Sequence, residues 1–565
     1  MAARTIEETK AFSARHAGTA RASAGALRWL PYLVLAGLFA WSVSRCYLPG
    51  KGFSYFIEFG EMNHARYLPE VNATRHYELP NSPGYDAQWY VQIAMRPRPS
   101  DPALEGSVDI LRYRARRILF EWTAWALGGG DPGRIMNIFA LQNVASWFLL
   151  AALLLRWFPP KSWGNAFRWA SVLFSVGLIF SVRAALLDGP SLLLVAAGMA
   201  LVESGHPWWA ASVFGICGLG KDTSVLCGSA LGPRSPCEPR AWGRWLSQLA
   251  LVLAPVLLWT LCLWAWLGSG NSAGTHNFSA PFAGMARKAA ALASSMGASG
   301  GRLQADEVCD LLALASLLLQ ALFFTLRVRW ADPWWRLGAS CVVLSAFLGD
   351  SVWGNYPTAA ARVLLPMTLA FNVLVPRGGA WPLLLVLGNI GALGSPGILA
   401  PPPRGEYFMV RGDRELSMSP DGRPFEAEFG PQNWYLPEEE TRPGRRTADY
   451  WRWSQADAAV VVRNPQAFTV VAEVSFSLGS ADNRRASLCQ GERVLWSGPL
   501  RSGEENPVDL PALEFPPGQT ELVFRSDRPA TAPGAGDTRR FAFSLRNLRI
   551  VLKGKRGETP AAPGS

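Results

Sequence analysis

Two patterns divide the chain. Between residues 27 and 400, apolar runs alternate with short basic groups, whereas beyond residue 401 the chain is polar with strand-length alternation. Eleven apolar runs are legible, at 30–43, 135–155, 169–181, 191–202, 208–219, 224–231, 246–267, 309–326, 337–348, 359–375 and 381–393. A bilayer-crossing helix needs ~20 residues. The pair 208–219 and 224–231 falls short of that and reads as two short or tilted helices meeting at the outer surface. Several other runs are short as well, so ten or twelve crossings also fit.

Basic groups at Arg4 to Arg28, Arg156 to Arg168, Arg234 to Arg244, Arg327 to Arg336 and Arg377 agree with one alternation across the membrane. Cytoplasmic loops carry such an excess of Lys and Arg. The first run lacks a small-residue cleavage site, so it reads as an uncleaved anchor. That reading puts residues 48–134 outside, and the odd count puts the C-terminal domain outside too.

Residues 396–404 contain four prolines and read as a linker. Further on, Phe468, Val470, Ala472, Val474, Phe476 and Leu478 recur at every second position, as a half-buried strand requires. Short runs at 493–496, 521–524, 541–545 and 548–552, with Pro516-Pro-Gly518 between, predict a small antiparallel sandwich. The expected fold is a mainly α-helical polytopic membrane domain of about eleven transmembrane helices followed by a C-terminal antiparallel β-sandwich. Its divisions are a cytoplasmic tail (1–28), the membrane domain (29–396), a linker and irregular segment (397–440), the sandwich (441–553) and a disordered tail (554–565). Trp451 and Trp453 serve either as sugar-stacking rings or as core.

Composition agrees with the membrane reading: 49% of residues are hydrophobic and 17% charged, against about 25% charged in soluble domains. The net charge of +11 does not mark nucleic-acid binding, because the basic residues are dispersed between apolar runs. The eight cysteines form neither a CxxC pair nor a Cys/His cluster, so zinc-site and disulfide-scaffold readings fail. No cofactor is indicated, and a divalent metal stays open without a motif to announce it.

The unusual residues lie in the segments expected outside. Asp86, in Gly84-Tyr-Asp-Ala-Gln-Trp-Tyr, is either the N-cap of the helix that follows or a general base. The four arginines of Arg112-Tyr-Arg-Ala-Arg-Arg either anchor lipid headgroups or hold a phosphate. Asp188, before Gly-Pro, is fully explained as a helix cap. Lys221-Asp222 reads as a local ion pair or an intramembrane functional pair, and Arg362 is a lone cation without an obvious partner. Asp86, Arg117, Asp188, Lys221 and Arg362 come from five segments that the topology gathers on one side, which favours a shared site.

These segments, in this order, resemble bacterial membrane glycosyltransferases of the GT-C fold, in particular a mannosyltransferase-like group. They are Gly84-Tyr-Asp-Ala-Gln-Trp-Tyr, Tyr113-Arg-Ala-Arg-Arg-Ile-Leu, Leu187-Asp-Gly-Pro-Ser and Gly220-Lys-Asp-Thr-Ser, with Asn277-Phe-Ser-Ala-Pro-Phe, Ala361-Arg-Val-Leu-Leu-Pro and Trp451-Arg-Trp-Ser in support. The resemblance implies an inverting enzyme of the bacterial inner membrane, with its site on the extracytoplasmic face. The implied donor is a sugar on polyprenyl phosphate; the acceptor is an unknown glycan, lipid or protein; membrane lipids are partners and nucleic acid is not. By the same resemblance Asp86 is the catalytic base, and Tyr85, Gln88, Arg116, Arg117, Asp188, Lys221, Asp222 and Arg362 bind substrate. Departures from the pattern are Ala87 for Gly, Glu121 for Pro, and Lys221-Asp222 for a basic-Glu pair. The competing readings are a transporter or flippase for a lipid-linked glycan, and an inactive scaffold whose sandwich binds carbohydrate or a partner.

Overall fold

The computed structural model describes residues 27–48, 51–79, 82–235, 237–268, 277–298, 305–354, 359–402, 408–420, 423–430, 432–435, 438–440, 449–532 and 539–557. Nearly all of the expected N-terminal tail lies outside the described residues. So do 441–448 of the expected sandwich and 558–565 of the expected C-terminal tail.

Among the described residues, four helices are long and apolar enough to cross a membrane: α1 (Leu27–Ser44), α4 (Pro132–Leu154), α9 (Pro239–Leu267) and α11 (Ala305–Leu326, apolar over Glu307–Leu326). A fifth span results if α5 (Trp163–Leu173) and α6 (Val176–Arg183), bent by 45°, count as one. Between α1 and α4 lie α2 (Ala87–Met95) and α3 (Leu119–Gly128). The lipid-facing character of α9 is plain, since Leu246, Leu257, Leu258, Leu261 and Trp264 are exposed. Exposed leucine and tryptophan in such numbers on one helix need an apolar surround.

The expected count of about eleven crossings is not confirmed, and the reason is local. The other apolar runs form shorter helices: α7 (Asp188–Glu203), α8 (Pro207–Gly220), α12 (Pro333–Phe347), α13 (Ala359–Val363), α14 (Leu365–Leu374) and α15 (Trp381–Leu387). The run 359–375 breaks at Leu364, ahead of Pro366, which cannot donate a helical hydrogen bond. The run 224–231 is a 3₁₀ helix, Asp222–Leu231, a form uncommon beyond a few residues. Sequence reading also missed α10 (Ala283–Ala298), placed between α9 and α11 and tied by Lys288 to Asp310 and by Arg287 to Asp350 at 2.7 Å.

Beyond residue 407 two sheets face each other. The five-stranded sheet has the order β10 (Arg493–Leu500), β9 (Arg484–Gln490), β12 (Gly518–Ser526), β7 (Ala458–Asn464), β4 (Glu426–Phe429). The second has β11 (Asn506–Phe515), β8 (Val470–Gly479), β13 (Ser544–Lys555), β6 (Asp449–Trp453), β5 (Glu438–Glu440), with β3 (Phe408–Arg411) parallel to β13. Their inner faces share one core, in which Phe476 of β8 meets Phe524 of β12 edge-on at 5.3 Å. The alternation predicted for β8 is realised, with Val470, Ala472, Val474, Phe476 and Leu478 buried. The expected run 548–552 lies within β13, and the run 541–545 leads into its start at Ser544. What reads as a turn at Asn547 is a bulge, with Asn547 at φ +56 and the pairing shifting between Arg546 and Arg549.

The sandwich also begins earlier than expected: β3, β4 and β5 lie inside the segment read as linker. These strands are short and lack a long alternation, but pairing with β13, β7 and β6 supplies what their own sequence does not. The parallel β3–β13 pair likewise corrects the all-antiparallel expectation.

The segment between α1 and α4 forms a ledge that carries a two-residue parallel pair, β1 (Phe59–Gly60) with β2 (Glu78–Leu79). The sandwich docks on this ledge through ion pairs: Arg75 with Glu426 at 2.7 Å, Lys51 with Glu428 at 3.7 Å, and Glu61 with Arg452.

Candidate active site

Asp86 is presented by a backbone crossing. Gly84 at φ +71 lies against Glu58 and Gly60, and a Cβ there would come within 2.5 Å of the Glu58 carbonyl oxygen and the Gly60 nitrogen. Only glycine permits that approach and that φ together. Gln88 fastens the crossing: its Oε1 accepts from Gly60 N at 3.1 Å and from the Tyr67 hydroxyl at 2.7 Å, while its Nε2 donates to Pro83 O at 2.8 Å. Gln88 is buried and does not line the cavity described below. Its expected substrate contact is therefore replaced by a structural one, because a buried amide satisfies itself on nearby backbone.

Asp86 does not cap α2. Its backbone is already helical and its side chain makes no cap bond; instead it pairs with Arg114 Nη1 at 2.9 Å. Genuine caps occur elsewhere, as Asp131 accepts from Arg134 N and Asp332 from Trp334 N, each just before a proline.

Asp188 departs from its expected role in the same way. The first turn of α7 contains it, with no side-chain cap, and its carboxylate takes Lys221 and, at 3.4 Å, Arg362 Nη1. Ala185, at φ +45, turns the chain just before it. That turn is bolted by Asn143 Nδ2 donating to Leu186 O at 2.5 Å and by Ser181 Oγ accepting from Gly189 N at 2.9 Å. Lys221 and Asp222 are not a local pair: Lys221 goes to Asp188, and Asp222 faces Arg117 at 3.4 Å and Arg116 at 4.0 Å. The extended backbone of Lys221 between α8 and the 3₁₀ helix sends the two side chains apart. Arg362 is not alone either, since its Nη2 donates to the Tyr85 hydroxyl at 2.8 Å. Burial raises the Tyr85 phenol against the pull of Arg362, so it is neutral.

These groups surround one cavity of about 800 Å³. Tyr85, Asp86, Arg116, Arg117, Asp188, Lys221, Asp222 and Arg362 line it, as do Arg114, one of the four arginines read as headgroup anchors or phosphate ligands, and Tyr90 and Tyr113, which the sequence alone does not single out. Arg117 donates to the Tyr90 and Tyr113 hydroxyls at 2.8 and 3.2 Å. Asn277 Nδ2 donates to the Tyr113 hydroxyl at 3.1 Å. An apolar wall is supplied by Phe278, Leu348, Val352 and Val363. Glu121 is fully buried outside the lining, and burial pushes its carboxyl well above the usual range.

Five cations and three carboxylates line the cavity, an excess of two positive charges. The Nε atoms of Arg116, Arg117 and Arg362 are buried and have no hydrogen-bond partner among the described residues. Buried donors in that condition are costly unless a ligand meets them. Among the described residues, no group of three or more His, Cys, Asp or Glu side chains is placed to hold a metal ion.

No family model matches the chain, and no curated protein matches it. Among solved structures, the arabinosyltransferase EmbB of Mycobacterium smegmatis is similar at 11% identity and a TM-score of 0.32, over 92% of this chain and 64% of that one. A GH26-CBM35 β-(1,4)-mannanase of Podospora anserina is similar at 12% identity and a TM-score of 0.16, over 25% of this chain and 28% of that one. The chain thus spans less than two thirds of either.

Proposed function

We propose that this protein is a membrane glycosyltransferase that moves a sugar from a polyprenyl-phosphate donor to an acceptor hydroxyl on the outer face of the membrane, with Asp86 as general base. The observation that carries the reading is the cavity's charge and its orphaned guanidinium nitrogens, an arrangement suited to a phosphate. The donor, a phosphodiester, carries one negative charge. In transfer, the acceptor oxygen bonds to the anomeric carbon as the bond from that carbon to the phosphate oxygen breaks. The bonding pair stays on the phosphate, which becomes a dianion, and the acceptor proton passes to Asp86. Arg116, Arg117, Lys221 and Arg362 offset the charge that grows on the leaving group. The apolar wall around Phe278 and Leu348 suits the first isoprene units.

Asp86 is favoured over its two neighbours as base. Asp188 and Asp222 each face two cations, while Asp86 has one ion-pair partner among the described residues. The transporter reading needs a polar path through the bundle. Gln320, Thr368, Asn372 and Asn389 do lie within it, but they bond to one another beside a cavity of only about 30 Å³, far too small for a glycan.

The test is Asp86→Asn protein in lipid nanodiscs, supplied with polyprenyl-phosphate sugars. Loss of a general base lowers kcat by roughly 10²–10⁴-fold, with the melting temperature unchanged. Undiminished transfer by the variant overturns the base assignment.

A further inference from the structure

We propose that Asp109 and Arg114 act as a positioning pair for Asp86, holding its carboxylate in one orientation while leaving it free to exchange a proton; this rests on the glycosyl-transfer reading of the same cavity. Arg114 is buried, and its guanidinium is divided between two carboxylates. Nε and Nη2 donate to Asp109 at 3.0 and 2.7 Å, a two-pronged contact, and Nη1 meets Asp86 at 2.9 Å. The rings of Tyr90 and Tyr113 lie 5.4 and 5.5 Å from the guanidinium carbon. Asp109 Oδ1 also accepts from Ile110 N at 2.7 Å, which anchors the far end of the chain of contacts.

This division has a chemical consequence. A base paired with a private arginine is a poor proton acceptor, because protonation strands a buried cation. Here Arg114 keeps Asp109 as its ionic partner whether Asp86 is charged or neutral. Asp109 therefore tempers the arginine, and Arg114 orients the base.

The other groups around Asp86 do not supply this. Glu58 is occupied by Arg183 at 3.0 Å, Arg362 by Asp188, and Arg117 by Tyr90 and Asp222. Tyr85, half-buried, and Tyr90, buried, are phenols that burial keeps neutral.

The pair predicts shifts of opposite sign. Asp109→Asn leaves Arg114 to Asp86 alone, so the ionised form of Asp86 gains and the labelling midpoint falls. Arg114→Gln removes the cation, and the midpoint rises. The readout is carbodiimide-driven amine labelling of Asp86 against pH, resolved by peptide mass spectrometry on full-length protein in nanodiscs; only the protonated carboxyl reacts. A midpoint that stays put in either variant, or moves the same way in both, overturns the proposal. Should Asp109→Asn not accumulate, Arg114→Gln decides alone: a rise supports the pair and a fixed midpoint overturns it. On the same preparations, sugar transfer by Asp109→Asn should show its acid limb shifted down with the labelling midpoint, a lower plateau and an unchanged donor KM. If unmutated protein transfers no sugar, the enzyme reading falls while the labelling still judges the pair.

Discussion

Arg484 in the sandwich and Arg362 at the cavity are both arginines beside an aspartate, the first buried and the second half-buried, yet they are built to opposite ends. Arg484 donates from all three nitrogens: Nε to Asp482 at 2.6 Å, Nη1 to Ser526 and Nη2 to Thr531, both at 3.1 Å. Its partners are the loop residues Asp482 and Thr531 and the last residue of β12, so it ties two loops to a strand end. Arg362 shares Asp188 with Lys221, donates to Tyr85, and leaves Nε unmet. Arg336 follows the Arg484 pattern, with three carbonyls as acceptors. A guanidinium with all three nitrogens engaged holds a fold; one with a nitrogen left over, on the wall of the proposed donor cavity, is in our reading kept for the phosphate.

Substitution separates the two types. Arg484→Ala removes the hydrogen bonds to Asp482, Ser526 and Thr531, so the sandwich should lose about 1.5–3 kcal/mol, the worth of bonds to a charged group. The measurement is the sandwich's unfolding transition in the full-length protein, and a loss below about 1 kcal/mol would erase the distinction. Arg362→Gln should leave that transition in place, because Asp188 retains Lys221. It should instead lower kcat/KM for the lipid-phosphate donor by about 10–100-fold, the worth of one charge-assisted contact. If Arg362→Gln chiefly melts the protein, the cavity arginine is structural after all.

The smallest effect concerns the ledge on which both regions meet. Burial alone lifts the Glu78 carboxyl, but hydrogen bonds from His64 and His76, each at 2.8 Å, outweigh it and lower the value to about 2. A carboxylate depressed in the folded state contributes stability that is full above its unfolded value near 4.5 and fades as pH falls toward 2. Melting temperature should therefore drop between pH 5 and 3 by a few degrees more in the parent than in Glu78→Gln. Parallel curves would show that the two histidines add nothing.

Legibility in the sequence followed the same division. β8 was readable because alternation is a local property: each inward residue announces itself two positions on. β7 was missed because Ala458-Ala-Val-Val-Val462 is nearly continuous in apolar residues, and β11 because Pro507 and Pro511 argue against a strand until it proves to be an edge. At the cavity, the residues were visible but their roles were not. Asp131, Asp188 and Asp332 all stand shortly before or within a helix start with proline near, and two of them cap while Asp188 does not. What distinguishes Asp188 is Arg362, 174 residues away.

The apolar bundle, the alternation that builds a sandwich and a short roster of misplaced charges are all legible in the chain alone, because each is written in spacing or composition within a few residues. Only the tertiary structure decided how many runs become long helices, where the sandwich begins, and which charge answers which. Those outcomes depend on breaks, strand partners and ion pairs between segments far apart in the chain. An ionisable side chain carries no local signature of its partner. So Gln88 became a staple, and Asp86 and Arg114 became ion-pair partners.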